Sequence, residues 1–283
     1  RRHLSIAALL RVGTLVVCVN KMDRVDFDAA RFQELAEEAS QIVREVSERE
    51  YGLAPELLAI PTSALHGDNV VTASSRMPFY EGPPLLTALE GARGSLRDEA
   101  GPARIPVQWV LRPQHDDFED YRGYAARIAR GRIARGDRVR SVRSGQEARV
   151  TELTGAGAER ATRHAGESVV LQLSAPIDVS RGDVLVNAAE PPPLVSRGAT
   201  ATLLCLTETP LVESAPLLVK HGTRTQRARV RLRPEGFFVR AELEFDEPLV
   251  FDRFDDDRTF GSFVAIDPQS GSTVAAGLLR GAS

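Results

Sequence analysis

Residues 14–27 read TLVVCVNKMDRVDF. Thr14 to Val19 form an uninterrupted apolar and β-branched run, the pattern of a parallel strand buried on both faces. The run stops at Asn20, Lys21, Met22 and Asp23. Open α/β sheets bind ligands beyond the carboxyl ends of their strands, so a polar cluster at that point is a candidate binding edge. Downstream, Phe32, Leu35, Ala36, Ala39, Ile42, Val43 and Val46 recur at helical spacing within residues 28–50, with charges on the opposite face. Upstream, residues 3–11 fit a short helix. The run LLAIPTSA, residues 57–64, predicts the next strand, ending at Pro61, and a loop leads to a helix from Pro84 to Ala92 with proline in its first turn. Strand and helix in alternation imply a sheet with helices on its faces.

Beyond Gly94 the pattern changes. RGSLRDEAGPAR, residues 93–104, is polar and turn-rich and reads as a linker. Short strand-like runs follow at regular spacing, among them IPVQWVL, DRVRSV, EARVTEL, SVVLQL and DVLVN. Their period and their Gly, Asp and Ser punctuation predict an antiparallel barrel. AAEPPPLV is a stiff connection, and a second set, including ATATLLCL, PLLVKHG, TQRARVRL, FFVRAELEF, GSFVAID and STVAAGLL, predicts a second barrel. The expected division is 1–94, 95–190 and 191–283.

The 283 residues are 42% hydrophobic and 27% charged, with a formal net charge of -3. That balance gives no support for nucleic-acid or membrane-surface binding. The sequence shows no signal peptide and no apolar run of membrane-spanning length. Cys18 and Cys205 sit in apolar stretches and are expected in the core of a protein from a reducing, cytoplasmic compartment. The five histidines lack metal-ligand spacing and read as surface or loop residues. Trp109 is expected in a barrel core. DRFDDDR, residues 252–258, lacks the glycine and spacing of a calcium loop and reads as a solvated turn. The two Arg-Gly-Asp triplets, Arg135–Asp137 and Arg181–Asp183, read as turns between barrel strands. HDDFEDYRGY, residues 115–124, reads as a loop entering the first barrel.

An aspartate at a strand end can accept hydrogen bonds from N1 and the 2-amino group of guanine. Adenine lacks that donor pair, and binding it would leave a desolvated carboxylate unpaired. Asp23 suits that role. Asn20 can brace the loop and reach the other edge of the base, and the Lys21 stem can lie on the ring with its charge in water. At the second strand end, Ser63, Ala64 and Leu65 are placed to close over the base, with the Ala64 N–H directed at guanine O6.

VNKMDRVDF, PTSALHGDNV and MPFYEGPPLLTALE resemble the translation-factor-type GTPases, the group that includes elongation factor Tu. RIPVQWVLRP, YRGYAARIARGRIARGDRVR, DVSRGDVL, DEPLVFDRF and STVAAGLL resemble the large, GTP-binding subunit of bacterial sulfate adenylyltransferase over nearly the whole chain. The resemblance implies an α/β plus all-β fold: the C-terminal half of a P-loop GTPase domain followed by two antiparallel β-barrels of the elongation factor Tu type. It implies that GTP hydrolysis is coupled to adenylyl transfer from ATP to sulfate, giving adenylyl sulfate and pyrophosphate. A separate small subunit carries that chemistry, in a heterodimer or larger assembly. It implies a guanine pocket of Asn20, Lys21, Asp23, Ser63, Ala64 and Leu65, with no catalytic residue and no metal ligand among them.

The chain contains no G-x-x-x-x-G-K-[ST]: neither of its lysines, Lys21 and Lys220, follows a glycine. The chain begins at Arg1 rather than at a methionine. The phosphate cradle, the Mg²⁺-holding hydroxyl and the loop that positions the attacking water are therefore expected before Arg1, and the chain alone is expected to be inactive. RLRPEGFFVRA, residues 231–241, is shorter than the resemblance leads one to expect. The rival readings are a non-catalytic binding module and a translation-factor fragment.

Overall fold

The computed structural model describes residues 2–51, 55–92, 101–113, 121–155, 160–207, 211, 216–235 and 238–283. The chain divides into two compact units, Arg1–Leu96 and Arg97–Ser283.

The first unit runs α1 (Arg2–Leu9), β1 (Thr14–Val19), a 3-10 turn (Met22–Val25), α2 (Ala29–Tyr51), β2 (Glu56–Pro61) and α3 (Leu85–Gly91). β1 and β2 pair in parallel from Thr14↔Glu56 to Val19↔Pro61, which aligns their carboxyl ends. α2 buries Phe32, Ala39 and Val43, a stripe at helical spacing. Leu15 packs against Ala8 and Val43, beneath α1 and α2. The expectation that β1 is buried on both faces is corrected: within it only Leu15 is buried, and Cys18 is exposed. β1 has a single hydrogen-bonded neighbour among the described residues, so the apolar run lacks the strand and layer that would enclose its other side.

The second unit holds two closed six-stranded barrels. β3 (Ile105–Leu111), β4 (Gly123–Arg127), β6 (Arg138–Ser141), β7 (Glu147–Gly155), β9 (Ser168–Leu173) and β10 (Val184–Asn187) close in the order β10-β3-β4-β9-β7-β6. β5 (Arg132–Ala134) and β8 (Thr162–His164) pair separately. β11 (Leu194–Cys205), β12 (Pro216–His221), β13 (Arg224–Glu235), β14 (Phe238–Phe251), β15 (Ser262–Ile266) and β16 (Thr273–Ala282) close as β11-β14-β13-β12-β15-β16. Alternating apolar residues fill each barrel: Ile105, Val107, Tyr124, Val169 and Leu171 in the first, Leu203, Val219, Val230, Leu243 and Phe263 in the second. β13 and β14 pair down to Glu235↔Phe238. Both Arg-Gly-Asp triplets are turns in which glycine takes the left-handed backbone, φ 93° at Gly136 and 94° at Gly182. Most of the expected linker (93–100) and of the acidic loop (114–120) lies outside the described residues.

Three sequence expectations fail here. Trp109 is 59% exposed. The β3–β4 register slips between Val107 and Trp109, a bulge that turns Gln108 and Trp109 outward together and leaves Val110 against the core. DRFDDDR is not a solvated turn throughout: Asp252 and Asp257 are buried. Asp252 receives Arg104 in a two-point contact, Nε to Oδ2 at 2.7 Å and Nη2 to Oδ1 at 3.1 Å. Arg104, itself only 2% exposed, also donates to the carbonyls of Ala103 and Pro191. Asp257 Oδ1 accepts the N–H groups of Thr259 and Phe260 at 2.8 and 2.9 Å. His221 is buried rather than superficial. Its Nε2 lies 2.8 Å from the Phe260 carbonyl, and its ring meets the Phe260 ring edge-on. Phe260 packs against Val184 and Val186 of the first barrel, and Thr223 Oγ donates to the Val107 carbonyl at 3.0 Å. These contacts join the two barrels.

Candidate functional site

The aligned ends of β1 and β2 set the site. The ladder continues one step beyond the strands: Thr62 N donates to Val19 O at 2.9 Å and Met22 N to Thr62 O at 3.2 Å. Met22 is buried with Phe32 and Met77. This apolar anchor holds its polar neighbours at the surface. Lys21 is exposed and adopts the left-handed region, φ 68° and ψ 35°. Asp26 and Phe27, closing the same turn, also have positive φ, 50° and 54°. Three such non-glycine residues in one loop are costly, and strain of this kind concentrates at binding sites.

Asn20 Oδ1 accepts two backbone N–H groups, from Lys21 at 2.8 Å and from Ala64 at 3.0 Å. The second spans the two strand ends. Ser63 Oγ donates to Asp23 Oδ1 at 2.6 Å, a second link between them. That hydroxyl, foremost, holds the Asp23 carboxyl below the usual carboxylate range, aided by its own backbone N–H and by the charges of His66 and Arg24, against a smaller opposing effect of burial. Asp23 is therefore an ionised acceptor at neutral pH. A carboxylate has about four lone-pair sites, so beyond the Ser63 hydroxyl Asp23 keeps acceptor capacity for a donor pair.

Of the residues singled out from sequence, Asn20, Asp23, Ser63 and Ala64 are thus hydrogen-bonded into one group. Lys21 lies beside it. Leu65 stands at the turn tip, 81% exposed. The Ala64 N–H, expected to face guanine O6, is here engaged by Asn20. Ser63 is fully buried and does more than hold a turn, since it fixes the carboxylate.

The second loop carries residues that sequence reasoning passed over. Ser63 and Asp68 exchange backbone hydrogen bonds at 3.2 and 3.1 Å, closing a compact turn. The Asp68 side chain accepts Ser74 Oγ at 2.7 Å and Arg76 Nε at 3.1 Å. Asn69 Nδ2 donates to the Pro61 carbonyl at 2.9 Å, and Asn69 Oδ1 accepts Ser74 N at 2.8 Å. The signal was the Gly-Asp-Asn triplet at 67–69, whose side chains favour local bonds to nearby backbone. Among the described residues no three His, Cys, Asp or Glu side chains converge as a metal site, and no helix is long and apolar enough to cross a membrane.

Comparison with known proteins agrees with this architecture. Residues 1–94 match the family model described as the elongation factor Tu GTP binding domain, and residues 234–280 match the GTP-eEF1A C-terminal domain-like family. Sulfate adenylyltransferase subunit 1 of Citrobacter koseri is 35% identical over 297 residues, covering 99% of this chain and 60% of that protein. The chain thus spans about 60% of the length of the curated relative it matches. Among solved structures, sup35 complexed with GDP aligns over 99% of this chain and 72% of its own, at 23% identity and a TM-score of 0.56. A bacterial selenocysteine-specific elongation factor aligns over 98% of this chain and 41% of its own, at 20% identity and a TM-score of 0.55. At these identities the structural likeness speaks to fold alone.

Proposed function

We propose that the chain, 35% identical to sulfate adenylyltransferase subunit 1 of Citrobacter koseri and matched over residues 1–94 by the elongation factor Tu GTP binding domain model, supplies the guanine-reading half of a GTP-dependent sulfate adenylyltransferase subunit. The observation that carries the reading is the pair of links between strand ends, Asn20 to Ala64 and Ser63 to Asp23. They bring one amide and one ionised carboxylate to a common edge.

In this reading Asp23 accepts from N1 and the 2-amino group of the base. Asn20 keeps its Oδ1 on the backbone and offers its Nδ2 to the opposite edge. Lys21 covers one ring face with its stem, and the Ser63–Leu65 turn closes the pocket, the Ala64 N–H being shared with or released to O6. GTP hydrolysis in the whole protein supplies the free energy that drives ATP and sulfate to adenylyl sulfate and pyrophosphate, an uphill anhydride formation. A separate small subunit performs that adenylyl transfer, as partner in a cytoplasmic enzyme of sulfate assimilation, and Mg²⁺ accompanies the nucleotide phosphates. The 283 residues contain no glycine-rich phosphate loop. The chain by itself therefore reads the base weakly and turns over no GTP. We assign residues 1–94 to the partial G domain, and 95–190 and 191–283 to the two barrels.

The test is nucleotide titration of the chain and of Asp23→Asn with GDP and XDP. The amide can donate to the 2-oxo group of xanthine and loses one acceptor for guanine. A wild-type preference for GDP that moves towards XDP in the variant supports the reading. Equal, unmoved affinities overturn it and favour a binding module. GTP turnover by the purified chain would contradict the assignment of the phosphate chemistry to residues outside it.

A further inference from the structure

The two base-reading loops are joined a second time, behind the edge they present. Asp68 is a buried carboxylate in the second loop. One of its oxygens accepts Arg76 Nε at 3.1 Å, and the other faces Nη2 of the same guanidinium. That guanidinium also lies over the Phe27 ring, 4.8 Å from its centroid. Phe27 closes the first loop: its N–H returns to the Met22 carbonyl at 2.9 Å, and its φ is 54°. The next residue after Arg76, Met77, is buried against Met22 and Phe32. One side chain therefore grips the Ser63–Asp68 turn through a planar fork and the Lys21–Phe27 turn through its flat face.

We propose that Arg76 is a positioning residue that locks the two loops into the spacing required for discrimination of guanine from bases lacking its 2-amino group. The proposal rests on the guanine reading given above and deepens it. The left-handed residues Lys21, Asp26, Phe27 and Asn69 hold that conformation only where surrounding contacts over-determine it. The direct side-chain links, Asn20 to Ala64 and Ser63 to Asp23, are single hydrogen bonds, the first of them exposed. Arg76 adds a contact that neither loop can satisfy alone. Its side chain is 44% exposed, so as an ion pair it contributes little to global stability. Asp68 is only 9% exposed and has no other cation among the described residues. Its arginine therefore adds, to the Ser74 hydroxyl and the Ser63–Asp68 backbone bonds, a hold on this turn that reaches the Phe27 ring. Lysine keeps the charge but not the fork or the stacking plane.

The experiment measures amide hydrogen exchange in the 283-residue chain and in Arg76→Ala, Arg76→Lys and Phe27→Leu. The Ala64 and Lys21 N–H groups, both bonded to Asn20, report the loops, and the Thr62 N–H, bonded to Val19, reports the sheet end. Expected for Arg76→Ala is about tenfold faster exchange at Ala64 and Lys21 with Thr62 unchanged. Arg76→Lys and Phe27→Leu should fall between the two. The GDP-to-IDP affinity ratio should drop with the loss of protection, because IDP lacks the 2-amino group. Unchanged exchange at Ala64, or a rise shared equally by Thr62, overturns the clamp. A ratio that holds while both loops loosen overturns its link to selectivity. A wild-type chain with no GDP-over-IDP preference overturns the guanine reading instead, and the exchange data still decide the clamp.

Discussion

His221 and Asp257 lie close together where the barrels meet, and their protons respond to acid in opposite directions. Burial lowers the His221 pKa below its ordinary 6.5, against the opposing pull of the Phe260 carbonyl and Asp252. The folded ring stays neutral at a pH where the unfolded ring takes up a proton. Nothing is lost above 6.5, and stability falls as pH drops below it. Burial raises the Asp257 carboxyl above its ordinary 3.8, opposed by the Phe260 and Thr259 N–H groups and by Arg130. As pH falls through that raised value the folded state takes the proton first, and part of the loss is offset. The melting temperature of the chain should therefore decline from pH 6.5 downward, and His221→Gln should flatten that decline while lowering the neutral-pH value. Calorimetry against pH checks it. Neither residue was legible as a joint: a histidine between lysine and glycine looks like a surface residue, and four clustered aspartates look solvated. Both bond to Phe260, which packs against Val184 and Val186 of the first barrel, and no local window around His221 contains those residues. The position of Asn20 and Asp23 at a strand end was legible because the apolar run itself locates that end. The Ser63–Asp23 bond was not, since it joins residues 40 positions apart.

At the scale of elements, periodicity located β1, α2, β2 and α3 and most barrel strands, because an apolar stripe is a local property of sequence. It failed where one residue changes the count. In β3 the bulge at Gln108 reverses the facing of everything after it, so Trp109, in phase with Ile105 and Val107, points outward. The chain has one tryptophan, which makes the facing measurable. Trp109 fluorescence should show the red-shifted emission of a water-exposed indole. Acrylamide should quench it nearly as well in the folded as in the unfolded chain. Blue-shifted, shielded emission would mean the bulge is absent. β1 teaches the complementary lesson. Its composition specifies burial, and the two-stranded sheet formed here supplies only part of it.

At the scale of the whole molecule, the two barrels within Arg97–Ser283 depend on the Arg104–Asp252 pair. Arg104 is 2% and Asp252 11% exposed in their side chains, so removing either leaves an uncompensated buried charge. Arg104→Met and Asp252→Leu should each cost about 3–5 kcal/mol, and the double variant markedly less than their sum. A double-mutant cycle by urea unfolding measures this, and strictly additive losses would show that the two charges do not depend on each other. That two barrels would form was readable from the turn-punctuated strands after Gly94. That they would be joined by an arginine ahead of the first barrel strand and an aspartate after the β14 strand was not.

The same pair has a bearing on how the protein is made. Its members lie 148 residues apart, so a ribosome adding about 5–20 residues per second delivers Asp252 some 7–30 s after Arg104. During that interval the nascent first barrel carries a cation without its counter-charge on a surface meant to be covered. Closure of the joint thus waits for the second barrel, and a chain that stops short of Asp252 keeps an exposed, mismatched face.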